Sequence, residues 1–230
     1  MTSSATFSVF IGFLLIHLYA NRATKLNWHG NFLSLAAGIS LAYVFVDLLP
    51  TLEKGQPILK QVFDPIIPYL DRHAYVIALL GLLFFYVLQG SSEKNNRLFW
   101  ASMAGYSLFN LFVGASLSDA NNPDIQPLLL FGIAMGLHYF VHDYVLREAH
   151  KELYDRYGRW ILAFALTLGW LIGFFLKIPD AIINLVVAFV AGGVLLNVMR
   201  YELPKREKGT YFHFMFGALV YSYVLLHLKV

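Results

Sequence analysis

The chain has 230 residues, of which 58% are hydrophobic and only 13% are charged, and its mean hydropathy is +0.60. This small number of charged residues cannot cover the surface of a soluble domain of this length. The composition therefore predicts a polytopic membrane protein. The net charge of +3 does not indicate nucleic-acid binding, because the basic residues lie in short segments between apolar runs. The absence of cysteine excludes disulfides, thiolate metal ligands and cysteine nucleophiles.

Eight apolar runs follow one another, each long enough for a helix to cross roughly 30 Å of hydrocarbon. We therefore predict an all-α membrane protein with eight transmembrane helices, in which residues 1–230 form a single domain. The first run is taken as a helix and not a signal peptide, because no basic segment precedes it. A loop is expected at about 53–73, which contains three prolines. The predicted helices cover about 5–20, 32–52, 74–90, 98–118, 128–147, 160–176, 181–200 and 211–228.

The distribution of basic residues predicts the orientation. Of the 17 Lys and Arg residues, 12 follow odd-numbered runs, and 5 lie at the termini or after even-numbered runs. Cytoplasmic loops carry the excess of Lys and Arg, so both termini are expected outside the cytoplasm. The expected location is the cell (inner) membrane.

The second and seventh runs resemble each other. AGISLAYVFVDLLPTLEKG at 37–55 and AGGVLLNVMRYELPKREKG at 191–209 share Ala-Gly, Pro and Glu-Lys-Gly in one register without a gap. Chance agreement between two Leu/Val/Gly-rich helices is the alternative. With eight spans the two copies point in opposite directions, which predicts an inverted repeat of the kind found in secondary transporters. Repeat 1 would cover about 5–90, two central helices about 98–150, and repeat 2 about 160–228.

The fifth run carries ionisable residues deep in the predicted membrane. His138 lies about 15 Å from the start of this run, near the bilayer midplane, and His142 lies one turn further on the same face. Two such imidazoles can bind one metal ion, with Asp143 as an edge ligand or as the group that orients a histidine. The alternative is that these side chains form hydrogen bonds between helices. His150 belongs to a basic segment and is expected to be solvated.

Three further polar residues are candidates for the same pathway. Asn110 in the fourth run reaches about the same depth as His138, and Ser107 lies one turn below it. Both could instead bond across a helix contact. Asp47, three residues before Pro50, is either a gate or relay residue or a partner for backbone groups that the proline leaves free.

These residues resemble motifs of the ZIP family of divalent-metal transporters. Asp47-Leu48-Leu49-Pro50 is similar to the family's His-Leu-Leu-Pro in helix 2. His138, His142 and Asp143 match both histidines and the last acid of His-Glu-x-Pro-His-Glu in helix 5. The resemblance implies a 3+2+3 inverted-repeat bundle, extracytoplasmic termini and a metal site between helices 4 and 5.

The family pattern is incomplete in this chain. In helix 4 the family carries His-Asn-x-x-Asp-Gly; Asn110 and Gly114 match, whereas Phe109 and Val113 replace the histidine and the acid. In helix 5, Tyr139 and Val141 replace the first Glu and the Pro. The resemblance therefore implies one metal site and not a binuclear centre, built on His138, His142 and Asp143, with Asn110 as a further ligand.

The expected function is transport of a divalent metal ion (zinc, iron or manganese, with zinc preferred) by alternating access, with no enzymatic activity and no organic cofactor. The expected partners are the lipid bilayer and the metal ion as substrate, without nucleic acid; a homodimer is compatible with the sequence. One alternative is a degenerate ZIP-like protein that moves no metal and acts as a scaffold or sensor. Another is an intramembrane zinc hydrolase with His213 as the third ligand.

The orientation can be tested with reporters. A reporter fused after Val230 should be active outside the cytoplasm, and one inserted at Arg156 should be active inside, because positively charged loops stay cytoplasmic. Paired fusions to alkaline phosphatase and green fluorescent protein measure both positions. The reverse pattern would contradict the charge count or the number of spans.

Overall fold

A computed structural model describes residues 4–23, 30–65, 72–88, 96–119, 125–202 and 210–228. This part of the chain is almost entirely helical and contains eight helices, one over each predicted run, with bounds that differ most in the second and sixth. Three of them include a short π-helical segment. The helices are α1 (Ser4–Ala23), α2 (Gly30–Tyr43, π-turn Val44–Leu48, Leu49–Phe63), α3 (His73–Leu88), α4 (Asn96–Asp119), α5 (Ile125–Ala149), α6 (Lys151–Leu153, π-turn Tyr154–Gly158, Arg159–Phe175), α7 (Asp180–Asn197, π-turn Val198–Glu202) and α8 (Thr210–Leu228).

The outer surface of the bundle is apolar. Large hydrophobic side chains point outward along several helices, and Val87 and Phe175 are each 74% exposed. A surface of this kind is stable against lipid acyl chains and not against water. The helices α2, α5, α6 and α7 are long and apolar enough to cross a membrane, and α1, α3 and α8 contain shorter apolar stretches. The chain is thus compatible with a membrane protein.

The second helix is longer than predicted. It continues to Phe63, so the loop expected at 53–73 is wrong over its first half. Pro57 lies inside the helix and removes one backbone hydrogen bond. The helix persists because Leu52, Gly55 and Leu59 are buried on one face, and burial outweighs one lost bond.

The sixth helix begins earlier than predicted, at Lys151, and only His150 separates it from α5. The side chain of Arg147 donates two hydrogen bonds to Asp155, at 2.7 and 2.9 Å, and holds this first turn against the end of α5. The expectation of a solvated His150 is confirmed only in part, because the residue is half-buried and its ring lies 5.2 Å from the ring of Phe99.

The π-turns of α2 and α7 occupy equivalent positions in the two similar runs. Val44–Leu48 begins at the valine that aligns with Val198, where the second π-turn begins. In α2 the N–H of Leu49 donates to the carbonyl of Val44, five residues back, immediately before Pro50. Because proline has no N–H, the α-helical bonding pattern is interrupted there in any case. The matching Pro204 lies outside the described residues.

Glycines bring α2 and α8 into backbone contact. A Cβ at Gly38 would overlap the backbone of Phe214 and Ala218, and a Cβ at Gly217 would overlap the carbonyl of Leu35. Contacts this close need small residues, which is how helices pack in a membrane without a hydrophobic driving force.

The contact between α3 and α7 repeats this arrangement. A Cβ at Gly192 would overlap the backbone of Ala78 and Leu82, and a Cβ at Gly81 would overlap the carbonyl of Phe189. Gly192 and Phe189 of α7 follow Gly38 and Leu35 of α2 by the same number of residues. Likewise, Phe214, Gly217 and Ala218 of α8 follow Ala78, Gly81 and Leu82 of α3 by one constant number of residues. The two contacts therefore use equivalent residues.

Glycines also position the helices that carry the polar residues. Gly132 and Gly136 of α5 lie against Val9 and Ile16 of α1. The glycine later in α5 contacts the residue later in α1, so α1 and α5 run in the same direction. A similar close contact joins α4 to α6 at Gly114 and Gly169. Polar side chains of α1, α4 and α5 can therefore meet in the interior.

These close contacts predict large effects of small substitutions. Gly38→Val and Gly192→Val should each lower the free energy of unfolding by about 1–3 kcal/mol or more, because each side chain would collide with backbone. Gly12→Val is the matched control, since nothing lies within 4 Å of its Cβ position. Thermal unfolding of purified protein in detergent measures the three variants. Equal melting temperatures would contradict the close packing.

Candidate functional site

His17 of α1 is the centre of a buried polar cluster. Its side chain is fully buried, and its two ring nitrogens face different helices. The Nδ1 atom lies 2.7 Å from Oδ2 of Asp143 on α5, and Nε2 lies 2.8 Å from Oδ1 of Asn110 on α4. One imidazole thus joins α1, α4 and α5.

The hydrogen bonds of Asn110 determine the direction of its bond to His17. The side-chain N–H of Asn110 donates to the carbonyl of Tyr106 at 2.9 Å, so its Oδ1 faces His17. Rotating the amide would place Oδ1 against that carbonyl, with two acceptors in contact. Nε2 of His17 therefore carries a hydrogen and donates it to Asn110, and Nδ1 forms the bond to Asp143.

His142 has one ring nitrogen engaged and one free. Its Nδ1 lies 3.5 Å from the second carboxylate oxygen of Asp143. Its Nε2 is buried and has no hydrogen-bond partner within the described parts of the chain. The ring of Tyr106 packs edge-on against the His142 ring, with the two ring centroids 4.0 Å apart. A buried nitrogen lone pair without a donor is unfavourable and is available to a ligand.

His138 lies one turn from His142 on the same helix. It is buried, and the two ring centroids are 6.3 Å apart with the planes tilted by 32°. Phe109 of α4, at the position of the missing family histidine, lies 6.1 Å from the His138 ring. The pair thus shares a helix face as predicted, and an aromatic ring lies where the ZIP motif has a histidine.

Two tyrosines enclose the cluster. Tyr139 is buried, with its ring 4.7 Å from that of His17. Tyr154, in the π-turn of α6, is fully buried and interacts electrostatically with Asp143. The salt bridge between Arg147 and Asp155, next to Tyr154, fixes this turn. The beginning of α6 therefore closes one side of the cluster.

The predicted site residues divide into two groups. Asn110, His142 and Asp143 are brought together, with Asn110 joined to the others through His17. Asp47 lies in the π-turn of α2 and is half-buried, and Ser107 is a half-buried residue of α4 whose hydroxyl is buried. Across the described ranges, no group of three or more His, Asp or Glu side chains is arranged to hold a metal ion.

The sequence reasoning missed His17, the residue on which the cluster depends. The available signal was its position: it is an ionisable residue inside an apolar run, and such residues are costly in a membrane and usually have a partner or a function. Its partners lie on helices far away in the sequence, so spacing along the chain could not identify them.

An apolar cavity of about 260 Å³ lies between α2, α4, α5 and α7. The cavity is next to the polar cluster. Its lining residue Val113 lies one helical turn after Phe109, and its lining residue Met135 lies one turn before Tyr139. Valine and aromatic side chains form most of its wall, with hydroxyl groups from a tyrosine, a threonine and a serine. It is lined by Tyr43, Leu48, Thr51, Phe112, Val113, Ser116, Leu117, Leu128, Phe131, Met135, Val186, Val187, Val190 and Val194.

Comparison with protein-family models, with curated proteins and with solved structures finds no match to this chain.

The buried contacts of Asp143 predict a large effect of removing the acid. Asp143→Asn should lower the free energy of unfolding by about 1–3 kcal/mol, because the amide keeps only one of the two buried oxygens that face His17 and His142. The matched control is Asp155→Asn, which breaks a partly exposed pair and should cost at most about 1 kcal/mol. Equilibrium unfolding in mixed micelles measures both. Equally small losses would contradict the buried contacts of the carboxylate.

Proposed function

We propose that the chain is a ZIP-like membrane protein that crosses the bilayer eight times, with helices 1–3 and 6–8 as inverted repeats around α4 and α5. The two glycine contacts support this arrangement. If the two repeats exchange places, α7 takes the position of α2 and α3 takes the position of α8. The contact between α2 and α8 then becomes the contact between α7 and α3. The equivalent positions of the two π-turns give independent support.

The proposed function is transport of divalent metal ions by alternating access, with zinc preferred. The observation that carries it is the buried, unbonded Nε2 of His142, one turn from His138, with its other nitrogen facing Asp143. Metal-bound histidines usually have one ring nitrogen on the ion and the other directed to a carboxylate or carbonyl. His142 has this arrangement of its two ring nitrogens.

The proposed ligands are few, which is compatible with transport. Two imidazoles with water oxygens suit zinc, and also iron(II), cobalt and manganese. Structural zinc sites have four protein ligands, whereas here water would complete the shell. An ion held by His138 and His142, with Asp143 orienting His142 from its other ring nitrogen, is released more easily than one in a closed site.

The remaining candidate residues belong to the pathway. Asp47 interrupts the apolar face of α2 at its π-turn, and Ser107 lies one turn before Leu111 on α4. In the proposed transporter they offer oxygen atoms to a passing ion on opposite sides of the site. Both termini would lie outside the cytoplasm, as the basic residues indicate.

A second candidate is a ZIP-like protein that no longer moves metal. The observation in its favour is the environment of the replaced family positions. Phe109 packs against His138, and Val113 lines the apolar cavity next to the site. An ion that crossed this mostly apolar cavity would lose most of its water and find few ligands, at a high desolvation cost. A scaffold or sensor would not require such a crossing.

Zinc binding and uptake distinguish the two candidates. Calorimetric titration of zinc into purified protein should show one weak site, which His142→Ala abolishes because the free nitrogen is lost. His150→Ala is the matched control and should bind as the wild type does. Liposomes with wild-type protein should accumulate zinc, and those with His142→Ala should not.

The outcomes have different meanings. Binding without uptake would favour the scaffold or sensor. Absence of binding in the wild type would contradict the metal site and the transport function together.

A further inference from the structure

We propose that the apolar cavity between α2, α4, α5 and α7 binds one acyl chain of a membrane lipid. This inference goes beyond the proposed function, because it requires neither a metal ion nor transport. It begins from the shape of the cavity, the burial of its two ends and the chemistry of its wall.

The cavity has the length and width of a single hydrocarbon chain. Its wall extends from Tyr43 to Thr51 on α2 and from Val186 to Val194 on α7. A helix rises about 1.5 Å per residue, so each of these spans covers about 12 Å. A volume of about 260 Å³ over this length corresponds to a channel about 5 Å wide. Carbon atoms in contact are about 3.5–4.0 Å apart, so this width admits one hydrocarbon chain and not two side by side.

Helix α2 runs antiparallel to α5 along the cavity. The ring centroids of Phe32 and Phe140 are 5.8 Å apart. Further along α2, the ring centroid of Tyr43 is 6.1 Å from that of Phe131. Later residues of α2 therefore face earlier residues of α5. The end of the cavity at Thr51 is thus the end at which α5 begins.

Helix α7 begins at this same end of the cavity. Gly55, one turn beyond Thr51 on α2, lies against Asn184 in the first part of α7. Helices of a membrane protein begin and end near the lipid headgroups. The Thr51 end of the cavity is therefore expected near the headgroups, and the opposite end lies deeper in the bundle.

The two ends of the cavity differ in burial. Tyr43, Met135 and Val194 form the deep end, and all three are buried. At the other end, Thr51 is exposed and Ser116 is half-buried. An acyl chain can therefore enter at Thr51 and Ser116, where their hydroxyl groups can donate hydrogen bonds to ester or phosphate oxygens of a lipid.

The wall selects hydrocarbon and not water. Valine, leucine and aromatic side chains form most of it. Even an apolar cavity of about 150 Å³ stays dry and binds benzene, because the side chains around such a space lack dispersion partners on one side. Lipid tails are the apolar molecules that surround a membrane helix. One tail inside the cavity would supply the missing contacts while its headgroup stays at the surface.

The test is photo-crosslinking of the full chain in phosphatidylcholine nanodiscs. A chain extended over about 12 Å contains roughly ten carbon atoms. A phosphatidylcholine with a diazirine near the tenth acyl carbon should label the deep end, at Tyr43 or Met135. A phosphatidylcholine with the diazirine next to the ester should label the open end, at Thr51 or Ser116. Mass spectrometry of the digested protein identifies the labelled residues.

A variant that fills the cavity gives a second measurement. Val190 is a buried wall residue, and Val190→Phe should lower labelling of the deep end about tenfold or more, because the ring occupies the space of the chain. Val87→Phe is the matched control, since Val87 is 74% exposed and is not part of the wall. Thermal unfolding shows whether Val190→Phe is folded. If it is not, the labelling of the wild type alone decides.

Three results would overturn the proposal. The first is labelling by both probes only at outward-facing residues such as Phe175. The second is equal labelling of the deep end in the wild type and in folded Val190→Phe. The third is labelling of the deep end by a diazirine fatty acid but not by the phospholipid, which would identify a free fatty acid as the occupant. No measurement includes a metal ion, so none of these results affects the transport proposal.

Discussion

A carboxyl group buried among apolar helices needs a hydrogen-bond partner, and Asp143 has one in His17 on a different helix. Neither group could enter hydrocarbon alone without a large desolvation cost. The pair is therefore favourable only when α1 and α5 are in contact, and the Asn110 bond adds α4 to the same unit. This requirement fixes how three helices with otherwise interchangeable apolar surfaces are placed relative to one another.

Helix packing in the rest of the bundle depends on glycine. Lipid chains solvate leucine and valine as well as a neighbouring helix does, so apolar side chains alone do not specify which helices pair. Backbone contact at Gly38 and Gly192 does, because few other surfaces allow such an approach. The polar contacts of His17 and the glycines of α5 therefore place α1, α4 and α5, and glycine contacts place the remaining helices around them.

The helices could be predicted from hydropathy alone, because a long apolar run has few other ways to satisfy its backbone. The lengths of the helices were harder to predict. Helix α2 continues through Pro57 because burial of Leu59 compensates for the lost hydrogen bond, and that burial depends on tertiary contacts. The shared face of His138 and His142 followed from helical periodicity. The role of His17 did not follow from periodicity, because its partners lie on other helices and no local sequence pattern indicates them.

The π-turn in α2 has a consequence for hydration. The N–H of Leu49 bonds to the carbonyl of Val44, and Pro50 has no N–H to offer. The carbonyl of Phe45 therefore lacks both the donor that an α-helix would supply and the donor that a π-helix would supply. An oxygen left over in this way at membrane depth requires water or a polar side chain. The middle of α2, beside Asp47, is thus a place where the helix backbone needs a water molecule or a polar side chain as a donor.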